Sequence, residues 1–153
     1  MLSAHVLRVS GYASVFGVRD LGGDIVHRGA FASSLLQRVN STLPMLFAHE
    51  TKEPVGVWNR VFEDKSGLFV SGEIFLGTDR SDRIARLVKS GALSGLSIGY
   101  KPVRVRRQKG ERTLLEVDLW EVSIVAFPML RAARITQIDD PQTVTETSRR
   151  SML

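Results

Sequence analysis

The sequence predicts an α+β fold that is rich in β-structure: a mostly antiparallel, barrel-like sheet flanked by two or more helices. Three observations lead there. Runs of strand-forming residues recur along the chain, separated by Gly, Pro and Asp turn signals. Only two segments carry apolar residues at helical spacing. With five or more strands in 153 residues, the sheet must close or stack to cover its edges. The length suits one domain able to bury its own core, and a hydrophobic fraction of 43% with 24% charge is ordinary for a globular protein.

Residues 5–16 alternate and read as the first strand, broken by the loop Gly17 to Gly23, and Val26 to Arg28 adds a short extended piece. Residues 29–39 predict a helix with Phe31, Leu35 and Val39 on one face. Leu43 to Ala48 is a short apolar run of the kind a buried strand requires, and it delivers His49 at its end. After the polar turn Glu50-Thr51-Lys52-Glu53-Pro54, the segments Val55–Phe62 and Leu68–Phe75 form a hairpin around Asp64-Lys65-Ser66-Gly67. Thr78 or Asp79 is placed to cap a helix over about Ser81–Ser90, with Ile84, Leu87 and Val88 inward and Gly91 as its C-terminal stop. A second hairpin follows, out along Ile98–Arg106 and back along Thr113–Val125. The domain is expected to span 1–138, and the polar stretch 139–153 to form a flexible tail, because scattered apolar residues cannot offset its ordering entropy.

Composition removes several function classes. With no cysteine, disulfides, thiolate metal sites and cysteine nucleophiles are excluded. Histidine chemistry must use His5, His27 or His49. No apolar run approaches the roughly 18 residues of a membrane span, and the amino-terminal residues lack a secretory pattern. Neither H-E-x-x-H nor G-x-S-x-G occurs, which argues against a zincin and an α/β-hydrolase. No metal or cofactor is called for. The net charge of +5 draws on Arg104, Arg106, Arg107, Lys109 and Arg112 in the second hairpin. These read as a solvated turn, since no aromatic side chain is interleaved for base stacking.

Three places carry candidate chemistry. The stretch Gly91 to Tyr100 puts Ser94 and Ser97 among three glycines at the mouth of a strand, where open backbone suits either a turn or a presented hydroxyl. Ser94 and Ser97 face opposite ways in an extended chain, and Ser97 shares its face with Gly95 and Gly99, which would leave room for a substrate backbone. His49 lies where a strand gives way to a polar turn, a position for a base in a cleft or for a surface imidazole. Glu121 sits in Leu119-Trp120-Glu121-Val122-Ser123-Ile124-Val125, and alternation groups Leu119, Glu121, Ser123 and Val125 on one face. Buried, its carboxylate needs a donor or a cation; Glu116 and Asp118 are weaker rivals. Serine, histidine and carboxylate together are the parts of a nucleophile, a base and an orienting group.

Taken in order, Leu46-Phe47-Ala48-His49-Glu50 with Pro54-Val55-Gly56, then Gly95-Leu96-Ser97-Ile98-Gly99-Tyr100, then Trp120-Glu121-Val122-Ser123-Ile124-Val125-Ala126-Phe127-Pro128 resembles the prohead maturation proteases of tailed bacteriophages. That family is similar to the herpesvirus assemblins, and the resemblance covers about residues 5–138. It implies a β-barrel wrapped by helices, Ser97 as nucleophile with Ser94 as the alternative, His49 as base, and Glu121 where the assemblins carry a second histidine. It sets the assemblins' oxyanion arginine region on Met129-Leu130-Arg131, with Arg131 or a nearby backbone N–H as donor, and backbone N–H groups near Gly99 are a further expected source. The expected function is a serine endopeptidase acting inside the phage procapsid, in the host bacterial cytoplasm. Its substrates would be the major capsid protein and scaffolding segments, with self-cleavage. No membrane partner is expected, nucleic acid is disfavoured, and a homo-oligomer is left open. Two other readings stand beside it: a non-catalytic scaffold or shell-binding module on the same fold, and a nucleic-acid-binding barrel.

Overall fold

The computed structural model describes residues 5–39 and 41–142. In chain order the elements are β1 (Val6–Val15), β2 (Asp24–Val26), α1 (Ala32–Gln37), β3 (Leu43–Phe47), β4 (Gly56–Glu63), β5 (Gly67–Phe75), α2 (Asp79–Ser90), β6 (Gly95–Gln108), β7 (Glu111–Val125) and β8 (Arg134–Asp139). The strands hydrogen-bond in the order β2-β7-β3-β4-β5-β1-β8-β6, and β6 pairs back onto β7. That last pairing closes the sheet into a barrel and leaves β2 beside the outer part of β7. Two pairings, β2 with β7 and β3 with β7, are parallel. The others are antiparallel. The barrel with two helices matches the architecture expected from the sequence.

Inward-facing residues recur at every second position, as a pleated strand demands, except where irregular pairing shifts the phase of β7. Leu7 and Val9 of β1, Leu68, Val70 and Ile74 of β5, and Leu114, Val117, Val122 and Ile124 of β7 are all buried in one core. Each such side chain contributes about 1.5–3 kcal/mol relative to exposure. Trp58 of β4 is buried among them, and its indole N–H donates to the Val122 carbonyl at 3.0 Å. That bond satisfies the ring's polar atom and pins β7 near its C-terminal end.

Helix α2 is stopped at both ends by its own residues. The Thr78 hydroxyl accepts from the Ser81 N–H at 3.1 Å while the Ser81 hydroxyl accepts from the Thr78 N–H at 3.3 Å. Gly91 takes the left-handed conformation (φ 85°) that ends the helix. Its buried face is Ser81, Ile84, Ala85 and Val88. Leu87, expected on that face, lies about 100° round the helix from its centre and is exposed. Helix α1 is shorter than the spacing of Phe31, Leu35 and Val39 suggests. It ends at Gln37, so Val39 leaves the helix and is exposed while Phe31 stays buried. No helix among the described residues is long and apolar enough to cross a membrane.

The β6–β7 hairpin turns through Lys109 (φ 44°) and Gly110 (φ 81°), the pair of left-handed residues that a tight hairpin turn requires. Arg112 does not belong to a solvated basic loop. Its guanidinium forks onto the Asp24 carboxylate of β2 at 2.8 and 2.6 Å. Of the tail expected over 139–153, Asp139 ends β8 and Asp140 pairs with Lys89 at 2.5 Å. Residues 143–153 lie outside the described residues.

Candidate active site

Parallel pairing with β7 fixes where β3 ends. Met45 lies opposite Val122 and Phe47 opposite Ile124, so the chain leaving β3 emerges beside Ile124, one residue past Ser123. There it turns sharply. The Ala48 N–H donates to the Ile124 carbonyl at 3.0 Å, and the Glu50 N–H donates to the Phe47 carbonyl at 2.9 Å. Ala48 (φ 50°) and His49 (φ 61°) are both left-handed, a conformation that costs non-glycine residues about 1–3 kcal/mol each and persists only where surrounding bonds enforce it. One of those bonds is the His49 N–H donating to the Ser123 hydroxyl at 2.9 Å.

In β7 the simple alternation fails at the place that matters. Leu119 pairs with Tyr100 and Glu121 with Gly99, so Trp120 has no opposite residue and forms a bulge. The extra residue reverses the side-chain phase. Leu119 packs in the core with Val122 and Ile124, whereas Glu121 and Ser123 share the other side. The grouping of Leu119 with Glu121 expected from the sequence is therefore corrected, and Trp120 is the residue turned outward. The Glu121 side chain retains only 10% exposure.

Gly99 has a different purpose from the one expected. A Cβ built there would collide with the Glu121 carboxylate, so the bare backbone makes room for this protein's own acid, not for a substrate. At Gly95 a Cβ would meet the Pro128 ring and the Val125 carbonyl. Both glycines let other parts of the chain approach β6 closely.

Across the barrel wall, the side chains form one hydrogen-bonded line. The Ser97 hydroxyl of β6 lies 3.2 Å from His49 Nε2. His49 Nδ1 makes a short hydrogen bond to Glu121 Oε1. Because a carboxylate only accepts, Nδ1 carries the proton and Nε2 presents its lone pair to the Ser97 hydroxyl. The other carboxylate oxygen, Glu121 Oε2, accepts from the Ser123 hydroxyl at 2.7 Å. The bond to Glu121 raises the His49 pKa above the ordinary imidazole value of 6.5; partial burial opposes that shift and the negative charge of Glu121 adds to it. The arrangement can activate a hydroxyl and hold an imidazolium.

The remaining candidates lie elsewhere. Ser94 accepts from the Arg134 guanidinium at 3.0 Å. His27 is exposed, with its ring against the Arg28 carbonyl, and His5 is exposed beside β1. Asp118 accepts from the Trp120 indole at 3.0 Å. Ser123 was not singled out from the sequence, although its spacing of two from Glu121 already set both on one face.

The barrel has the fold of two solved viral proteases. It superposes on the bacteriophage T4 capsid assembly protease gp21 with a TM-score of 0.63, at 13% identity, covering 77% of this chain and 80% of that one. It superposes on the Kaposi's sarcoma herpesvirus protease, solved with a hexapeptide phosphonate inhibitor, with a TM-score of 0.60 at 17% identity, covering 92% of this chain and 68% of that one. In sequence, residues 3–148 match the caudovirus prohead serine protease family, and the chain belongs to that family. It is 32% identical to the prohead protease of Enterobacteria phage HK97 over 134 residues, which are 82% of this chain and 57% of that protein. It is 26% identical to the prohead protease of Escherichia phage T5 over 126 residues, 80% of this chain and 59% of that protein. The chain thus spans less than two thirds of the length of these two relatives.

Proposed function

We propose that this chain is the serine endopeptidase unit of a prohead maturation protease, with Ser97 as nucleophile, His49 as general base and Glu121 as the group that orients His49. The observation that carries the reading is the unbroken line from the Ser97 hydroxyl through both imidazole nitrogens to a buried carboxylate. Ser97 Oγ attacks the scissile carbonyl carbon while its proton passes to His49 Nε2. The imidazolium, held by Glu121, then gives that proton to the departing amine as the C–N bond breaks. Water enters, His49 takes its proton, and the hydroxide cleaves the acyl ester to restore Ser97.

The tetrahedral oxygen needs donors aimed at it before reaction begins. The Leu96 N–H donates to the Ala133 carbonyl at 3.0 Å, on the side of β6 away from β7. The two-residue period turns the Ile98 N–H the same way and the Gly99 N–H toward β7. Ile98 therefore suits the oxyanion better than Gly99 does. Backbone N–H groups in 129–131 are the other source, since Met129 and Leu130 line the cavity beside Ser97.

Membership in the family and the prohead protease relatives support substrates within the procapsid: scaffolding segments and the capsid protein. Cleavage would occur inside the assembled shell, in the host cytoplasm. The polar segment after Ile138 supplies a site for self-cleavage. Co-expression with the capsid and scaffolding proteins tests this. Ser97→Ala is expected to abolish shell-protein processing, whereas Ser94→Ala retains it. Processing that survives Ser97→Ala, or is lost only in Ser94→Ala, would overturn the assignment.

A further inference from the structure

A cavity of about 140 Å³ opens beside Ser97. That is the share of roughly four or five liquid waters, space for one long side chain. Val26, Leu96, Ile98 and Leu130 give it apolar walls, and Ser14 and Asp20 add two polar groups. Ser14 is 1% exposed, and its hydroxyl has no hydrogen-bond partner among the described residues. A buried hydroxyl left so is destabilising, and a bound polar group would relieve it. Asp24 also lines the cavity, but its oxygens are taken up by the Arg112 fork and the Tyr100 hydroxyl. Asp20 is different. Its Oδ1 accepts from the Gly22 and Asp24 N–H groups at 2.8 and 2.9 Å, and the carboxylate forms no salt bridge among the described residues.

The chemistry decides which part of a substrate this cavity meets. His49 must protonate the departing amine, so the leaving half of the peptide lies on the imidazole's side of Ser97. The cavity is lined by Ser97 but by neither His49 nor Glu121. It lies on the acyl side. We propose that it receives the side chain of the residue whose carbonyl is attacked, and that it selects lysine or arginine there. The apolar walls take the methylene stem, the Asp20 carboxylate faces the cationic tip, and the Ser14 hydroxyl accepts one of its N–H groups. This proposal rests on the serine endopeptidase reading.

The test uses the full chain and three α-aminoalkyl diphenyl phosphonates bearing lysine-like, leucine-like or glutamate-like side chains. In each, the Ser97 oxygen would form a bond to phosphorus as phenoxide leaves. The lysine-like probe is expected to react at least tenfold faster than the other two. Asp20→Asn, whose amide oxygen can still accept from both backbone N–H groups, is expected to erase that advantage. A faster leucine-like or glutamate-like probe, or a full lysine preference in Asp20→Asn, would overturn the pocket assignment. If a melting curve shows that the variant does not fold, the ranking with the unaltered protein decides. A fluorophosphonate without a side chain separates the two ideas. Labelling of Ser97 with no lysine preference removes the pocket alone, and no labelling at all removes the endopeptidase reading with it.

Discussion

Glu121 has one oxygen on the His49 ring and the other on the Ser123 hydroxyl, so a single buried carboxylate fixes both the tautomer and the position of the imidazole. The raised His49 pKa gives a sign that can be tested. The proposed base works when neutral, so activity should climb as pH rises through a midpoint above 6.5. Any stability that the protonated pair contributes has the opposite dependence: it is present below 6.5 and lost as pH rises through the folded pKa. With His49 46% exposed that contribution is small, and the rate profile is the better readout. Glu121→Gln is expected to move the midpoint back toward 6.5 and to lower kcat by up to about 10⁴-fold, the loss typical when an orienting triad carboxylate is neutralised. An unchanged pH–rate profile would remove Glu121 from the site. Ser123→Ala strips a hydrogen bond from Glu121 and another from the His49 backbone. It is expected to lower kcat about tenfold with KM nearly constant, and to shift the same midpoint, at a stability cost of about 1–3 kcal/mol. Ser123 is expected to act as a positioning residue: loss of stability with no shift in the pH profile would reduce it to a structural one.

Among the elements, β7 has the greatest influence because one unpaired residue, Trp120, changes which side chains face His49. A sequence read at strict period two sends Leu119 and Glu121 the same way, and no local signal in Leu119-Trp120-Glu121 marks the bulge. The partner strand holds the information instead, in the offset between Tyr100 and Gly99. Gly99 was legible as a place of close approach, but not by what, since the approaching group comes from 22 positions further along the chain. Gly99→Ala tests that contact. The added methyl must push the Glu121 carboxylate aside, so turnover is expected to fall at least about tenfold and stability by roughly 1–3 kcal/mol. Wild-type turnover in this variant would mean that the carboxylate is not held where the geometry puts it. Capping was more transparent. Thr78 and Gly91 announce the ends of α2 because their chemistry is local. The outward turn of Leu87 and Val39 was less so, since it depends on where each helix stops and what it packs against.

For the whole molecule, closure of the barrel joins three distant segments into one site. Ser97 and Glu121 are brought together by the β6–β7 hairpin, a pairing that a turn signal and two long alternating runs already suggest. His49 arrives differently, through parallel pairing of β3 with β7 across an intervening β4, β5, α2 and β6. Nothing local in Leu43 to Phe47 encodes that partner, which is why the barrel was legible from strand count while its order was not. The separation of the three residues in sequence and their meeting in space make the central claim a chemical one: a hydroxyl on β6 is the nucleophile. Its most direct test is to react the full chain with a fluorophosphonate and locate the adduct by mass spectrometry. The account predicts a single adduct on Ser97, absent in Ser97→Ala, lost or much slowed in His49→Ala, and retained in Ser94→Ala. An adduct on another serine, or none under conditions where shell-protein processing is observed, would contradict it.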